Sequence, residues 1–456
     1  MSITRRRWLQ LACGGALSGA AAGLFRPWLS ALAGGARTSP DELFLFIQAA
    51  GGWDVTLWSD PRHEKRGIVD PATTENLETA PLKRWTDSSS AGGARSFKPV
   101  TPAGTPFVFG PAVGDLVDIA DRLTLVNGIA MNTVSHPDGT IFSATGRHPV
   151  AGRAVASSVD TMIANELGRD RLFPTLSVGY PSYHVGADLD PRVVPLRVGS
   201  IDAVTRLLSH AEAYETTEDR REVTAVLSEE ASDLAARSSS PETMRALALQ
   251  YEALQGMIGG SLESVFSVAA LKKAHPELPY DGKYTQSGAI AASFAVEAMK
   301  KNLVRCVSFT TGGLDTHTTN YRSHGMALQE LFDLVTALVR VLDKTPHPTR
   351  TGDKMSDHAH LLVTSEFCRT PELNQAGGRD HYPNNSALVI SPRLRHPFVI
   401  GSTDVEQLLP ASIEGFLDGP RPIGPPDVLA TFVSVFGVDP RRYLRDGEVM
   451  RGLVKT

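Results

Sequence analysis

The chain has 456 residues, 42% hydrophobic and 21% charged, with a formal net charge of −5. That length can bury one large core or several smaller ones, and the acidic balance excludes the basic footprint of a nucleic-acid binder. Three cysteines are too few for a disulfide framework, and zinc-ribbon spacing is absent.

Thr4-Arg5-Arg6-Arg7-Trp8-Leu9-Gln10 pairs arginines with following apolar residues, the pattern of a twin-arginine export signal. Leu11 to Leu24 is rich in Ala and Gly, and shorter than the roughly 20 strongly apolar residues of a membrane span. Small residues in Ala31-Leu32-Ala33 place cleavage before Gly34. Residues 1–33 are therefore read as signal and 34–456 as the mature chain, with an uncleaved anchor as the competing reading. Cys13 leaves with the signal. Cys306 and Cys368 remain in core-strand patterns, as buried free thiols or a single bridge. The twin-arginine translocase carries folded chains, so the expected destination is periplasmic or extracellular, with no stable membrane span after cleavage.

Leu43-Phe44-Leu45-Phe46-Ile47 is a continuous apolar run leading to Gly51-Gly52, which suits a strand buried on both faces. From about Asp60 to Phe107, Pro, Ser, Thr and Gly predominate, and the spacing predicts a long irregular excursion. Val113 to Ala120 reads as a short helix, Leu123 to Val126 as a second buried strand, and Val159 to Leu167 as a helix. The charged stretch Ile201 to Leu271 reads as a helical insertion covering one side of a sheet. A helix from Ser287 to Lys300 feeds a strand from Val304 to Thr310. A helix from Met326 to Leu342 follows, then strands His360 to Thr364 and Ala387 to Ile390. A last helix, Val428 to Phe436, has Asp427 as its N-cap and Gly437 as its stop. This alternation predicts an α/β fold, a mostly parallel central sheet with helices on both faces.

Acidic residues and histidines stand where several of these strands end. Asp54 follows Gly51-Gly52; a lone Asp there is usually a turn residue or cap. Asp315 and His317, after Gly312-Gly313, lie two apart, so an extended segment points both the same way, toward one cation. Two glycines there would let backbone approach a ligand closely. His324 is placed in the next helix. After the His360 to Thr364 strand, Glu366 can ligate a metal and Arg369 can clamp an anion bidentately, or the two can form a structural ion pair. His381 can bind metal through a neutral imidazole, with Asp380 orienting it or binding directly. His136 stands between a strand and a helix. His358 and His360 are read as an exposed pair on an alternating strand. Serine-hydrolase, phosphate-loop and HExxH patterns are absent.

Gly-Gly-Leu-Asp315-Thr-His317, Ser365-Glu366-Phe367-Cys368-Arg369-Thr370-Pro371 and Gly378-Arg379-Asp380-His381-Tyr382-Pro383 together resemble domain-of-unknown-function family 1501, within the alkaline phosphatase and sulfatase superfamily. The family usually has Gly at the position of Cys368. His136 to Pro149 is similar to the sulfatase signature segment, and Asp427 to Thr431 with Gly437 to a late sulfatase helix. The resemblance implies an alkaline phosphatase-like fold and two divalent ions, with Zn or Mn suiting the donors better than Mg or Ca. Asp315, His317 and His381 would hold one ion, Asp54 and Glu366 the other. The superfamily nucleophile falls at His136, as ligand or as phosphoryl acceptor.

The expected function is thus an exported, metal-dependent hydrolase of phosphate, sulfate or related anionic esters, with His136 at the reacting centre and Arg369 steadying the anion. The alternative is a non-catalytic exported protein that keeps the fold for binding or assembly.

Overall fold

The computed structural model describes residues 41–61, 82–89, 95–201 apart from 170, 172, 187–188 and 191–192, and 265–455. The expected export signal, much of the expected 60–107 excursion and nearly all of the expected helical insertion lie outside these residues.

The strands in chain order are β1 (Leu43–Ala49), β2 (Asp87–Ser89), β3 (Arg95–Phe97), β4 (Leu123–Val126), β5 (Phe173–Val178), β6 (Leu196–Val198), β7 (Val304–Thr311), β8 (Ala359–Thr364), β9 (Cys368–Arg369), β10 (His381–Tyr382), β11 (Ala387–Ile390) and β12 (Phe398–Ile400). Eight of them form one sheet in the order β12-β4-β11-β8-β1-β7-β5-β6. Only β11 runs antiparallel to its neighbours, β4 and β8. The helices used below are α1 (His136–Thr145), α2 (Val159–Leu167), α3 (Val268–Ala274), α4 (Gln286–Lys300), α5 (Gly325–Lys344) and α6 (Pro425–Ser434).

Alternation along β1 assigns the two faces. Leu43, Leu45 and Ile47 pack with residues of α4 and α5, whereas Phe44 and Phe46 pack with α1, α2 and α6. Every residue of β1 is buried, as a central strand covered on both sides requires. The sheet is mostly parallel with helices on both faces, as expected.

Several local expectations are corrected. The short helix before β4 is a kinked run of 3-10 turns, Gly114–Arg122. Asp427 is not the N-cap of the last helix. Pro425 starts that helix, and the Asp427 carboxylate instead accepts from the Gly424 amide at 2.8 Å and from both terminal nitrogens of Arg421 at 2.7 Å. His360 is not exposed: it lies wholly buried against Phe44 and Phe436, with its Nε2 2.6 Å from Glu42. Cys306 and Cys368 are both buried and unbridged, and burial pushes both thiols up. Among the described residues no helix is long and apolar enough to cross a membrane.

Candidate metal centre

Strand direction brings the predicted residues together. β1, β7 and β8 are adjacent and parallel, so the segments after Ala49, Thr311 and Thr364 leave the same edge of the sheet. β4 runs the same way with β11 between, so the loop leading to His136 reaches that edge as well. β10 pairs antiparallel with β9, with His381 opposite Arg369, and the chain then enters β11 from this rim.

His136 begins α1, whose Ser135 N-cap accepts from the Asp138 amide and whose Gly146 ends the helix in the left-handed region. His136, Asp315 and His381 have potential ligand atoms all within 4.8 Å of one another. Asp315 Oδ1 is the common neighbour. It lies 3.3 Å from His136 Nε2, 3.3 Å from His317 Nε2 and 3.7 Å from His381 Nε2. His317 and His381 approach each other through Nε2 at 3.2 Å.

The opposite ring nitrogen of each imidazole is held by an acceptor. His136 Nδ1 meets Glu366 Oε1 at 2.8 Å, His317 Nδ1 meets Asp380 Oδ1 at 2.7 Å, and His381 Nδ1 meets the Val134 carbonyl at 2.8 Å. Carboxylates and carbonyls only accept, so each ring donates from Nδ1 and, when neutral, turns an Nε2 lone pair inward. His136 Nε2 is buried with no hydrogen-bond partner. Phe367, fully buried, lies beneath His136 and His381 at ring separations of 4.8 and 4.6 Å.

Charge in the cluster follows these contacts. Burial pushes the Asp315 carboxyl up, but the Arg369 hydrogen bond and the surrounding imidazoles hold it at about 2. The Glu366 hydrogen bond raises His136, whereas burial lowers His381. Burial also opposes ionisation of Glu366, yet His136 and the Gly51 amide, 2.7 Å away, keep its carboxyl below the usual range.

Four sequence-derived roles change. Asp54 does not join the cluster. It is fully buried, and its oxygens accept from the Thr56 amide and hydroxyl and from Asn320, and pair with Arg379 at 3.0 Å. A carboxylate so occupied neutralises a buried arginine and has no free face for a cation. Arg369 is no anion clamp: its side chain is fully buried and donates to backbone carbonyls and Asp315. Asp380 orients His317, and the Val134 carbonyl takes the expected place of Asp380 beside His381. Glu366 supports His136 behind the ring.

His324 is structural. It ends a π-turn, Asn320–His324, before α5, accepts from the Asp54 amide at 2.8 Å, and contacts Thr316 Oγ1 at 2.7 Å. Burial drops its pKa to about 3, so it is neutral. The close backbone approach expected at Gly312-Gly313 occurs elsewhere. A Cβ on Gly51, whose φ is +117°, would lie 2.2 Å from the Asp315 nitrogen, and one on Gly378 would lie 2.0 Å from the His317 carbonyl carbon. Sequence reading missed Phe367 and Val134, for which residue type carries no signal; their roles come from position alone.

The family described as "Protein of unknown function (DUF1501)" matches residues 44–450. No curated protein matches the chain. A solved structure described as "Crystal structure of Ps i-CgsB in complex with k-i-k-neocarrahexaose" is 10% identical, over 87% of this chain and 72% of that one, with a TM-score of 0.35. At that score the likeness carries no argument.

Proposed function

We propose, from the premise that the chain belongs to the DUF1501 family, whose description assigns no reaction, that it is a metal-dependent hydrolase with one divalent ion held by His136, His317, His381 and Asp315. The observation that carries this reading is the anchoring of three Nδ1 atoms by Glu366, Asp380 and Val134, which turns three Nε2 atoms toward one carboxylate oxygen. Neutral rings so anchored set lone pairs against one another and against an anion, a donor set that a shared cation stabilises. Three imidazoles and one carboxylate suit Zn or Mn. The two-ion expectation reduces to one, because the described residues supply a single group with the necessary spacing.

When bound, the ion supplies Lewis acidity, activating water and polarising an ester oxygen. The protein's own groups do the rest. Glu366 and Asp380 keep His136 and His317 in the ligating tautomer, and Phe367 closes the floor against water. With Nδ1 tied to Glu366, His136 offers Nε2, and in this reading that atom serves as a ligand. Phosphate and sulfate esters remain the proposed substrates, on the likeness of the motifs to the alkaline phosphatase and sulfatase superfamily. Export by the twin-arginine route to the periplasm or exterior is part of the same proposal.

Elemental analysis of the purified chain, with turnover of aryl phosphate and aryl sulfate, tests it. The expected result is one Zn or Mn per chain and metal-dependent release of the aryl alcohol. A folded, metal-free protein that cannot be loaded and turns over neither ester would support the alternative, a non-catalytic binding or assembly protein.

A further inference from the structure

We propose that Arg369 is the positioning residue that assembles the metal centre, gathering its loops before any ion arrives. This rests on the metal reading above. The ligands come from loops joined by little regular pairing. His381 stands on the two-residue β9–β10 ladder, and single links such as the Leu314 amide to the Ala50 carbonyl and the bridge of Thr318 with Gly377 join the others, so a group that ties several loops at once would fix their spacing.

The Arg369 guanidinium reaches three of the segments around the cluster, those that carry or adjoin Asp315, His317 and His381. Its Nε donates to the Gly52 carbonyl at 2.9 Å, and its Nη1 to the Arg379 carbonyl at 3.1 Å. Its Nη2 reaches the carbonyls of Gly51 and of Leu314, the latter at 3.1 Å. The segment after β1, the segment after β7 and the segment before β10 are therefore tied to one planar group on β9. Buried carbonyls need donors, and a single side chain serves all four, the Leu314 carbonyl accepting from the Thr316 amide as well.

Arg369 also touches the centre itself. Nη2 donates to Asp315 Oδ1 at 2.8 Å, and Nη1 lies 3.5 Å from His317 Nε2. Asp315 Oδ1 is the oxygen that the imidazoles face, so the guanidinium selects which carboxylate oxygen is presented to a cation. Lysine carries its three donors on one nitrogen, without the planar fork that lets Arg369 donate from three separate nitrogens.

The test measures Zn2+ affinity by chelator competition on the full wild-type chain, Arg369→Lys and Arg369→Ala, with metal-free melting curves as folding controls. The expected result is a loss of roughly tenfold or more in Arg369→Lys, the scale on which groups behind a ligand act. Arg369→Ala should bind more weakly still, with partial recovery in added guanidinium and none in methylammonium. Wild-type affinity in a folded Arg369→Lys overturns the proposal. Should neither variant fold, amide exchange in the wild-type chain decides. Protection at Gly51 and Leu314 unchanged by Zn2+ supports a prebuilt centre, and a large gain on Zn2+ addition overturns it. A wild-type chain that binds neither Zn2+ nor Mn2+ instead sinks the metal reading on which the inference stands.

Discussion

Each imidazole at the rim is specified twice, once by the atom it presents and once by the acceptor behind it. Glu366 is only 3% exposed and contacts Gln48, Ser365, the Gly51 amide and His136. Replacing it with Gln keeps the shape but removes the charge that raises the basicity of His136. Glu366→Gln should weaken Zn2+ binding by roughly tenfold, read by chelator competition, with far-ultraviolet circular dichroism unchanged. Asp315→Asn should lower bound metal without unfolding the chain, because the Asp315 side chain is 55% exposed. Wild-type metal content in that variant by elemental analysis would remove Asp315 from the ligand set. The Asp315 and His317 pair was legible because two residues spaced two apart share a side in extended backbone. Asp54 misled for the converse reason: nothing in its local sequence announces Arg379, which reaches it from more than 300 residues away.

Among the elements, the opposite end of β1 and β8 carries a second polar group with a different task. Glu42, 2% exposed, accepts from Arg393 Nε at 3.0 Å and from His360 Nε2 at 2.6 Å, and the Ser391 hydroxyl lies 2.9 Å from His360 Nδ1. Burial pushes the Glu42 carboxyl up, but these partners outweigh it and hold it at about 2, below its ordinary 4.5. A depressed carboxyl contributes stability that is present above about pH 4.5 and is lost as pH falls toward 2. Glu42→Gln should therefore cost roughly 3 kcal/mol at pH 7, the scale for breaking one side of a buried ion pair. Urea denaturation should show wild type and variant converging as pH falls from 4.5 to 2. A gap that stays constant over that range would assign the effect to packing. The elements that escaped sequence reading share a cause. In β5, Pro174 and the buried Thr175 and Ser177 break the apolar run, and β6 and β12 are only 3 residues long. Thr175 and Ser177 are interior because the sheet encloses them, which no local pattern records.

For the whole molecule, the sheet converts sequence distance into adjacency. Residues 136, 315, 317, 366 and 381 meet because β4, β8, β1 and β7 point one way and β11 starts from the same rim. The proposed export concerns the entire folded chain, since twin-arginine translocation carries cargo that has already folded. Changing Arg5 and Arg6 together to Lys should leave the protein in the cytoplasm, read by fractionation and immunoblot. Unaltered delivery to the periplasm would sink that route. Hydrophobic periodicity by itself determined the α/β class, the central strands and most helices, because burial on both faces of a parallel sheet leaves long apolar runs in the chain. The same strand ends marked Asp315, His317, Glu366, His381 and His136 as a group. Tertiary structure alone decided which of these residues face one another around Asp315 Oδ1, that Glu366 stands behind, and that Asp54 instead neutralises a buried arginine. The physical reason is that a carboxylate's role depends on the donors packed around it, and those donors arrive from loops that only the folded sheet brings within reach.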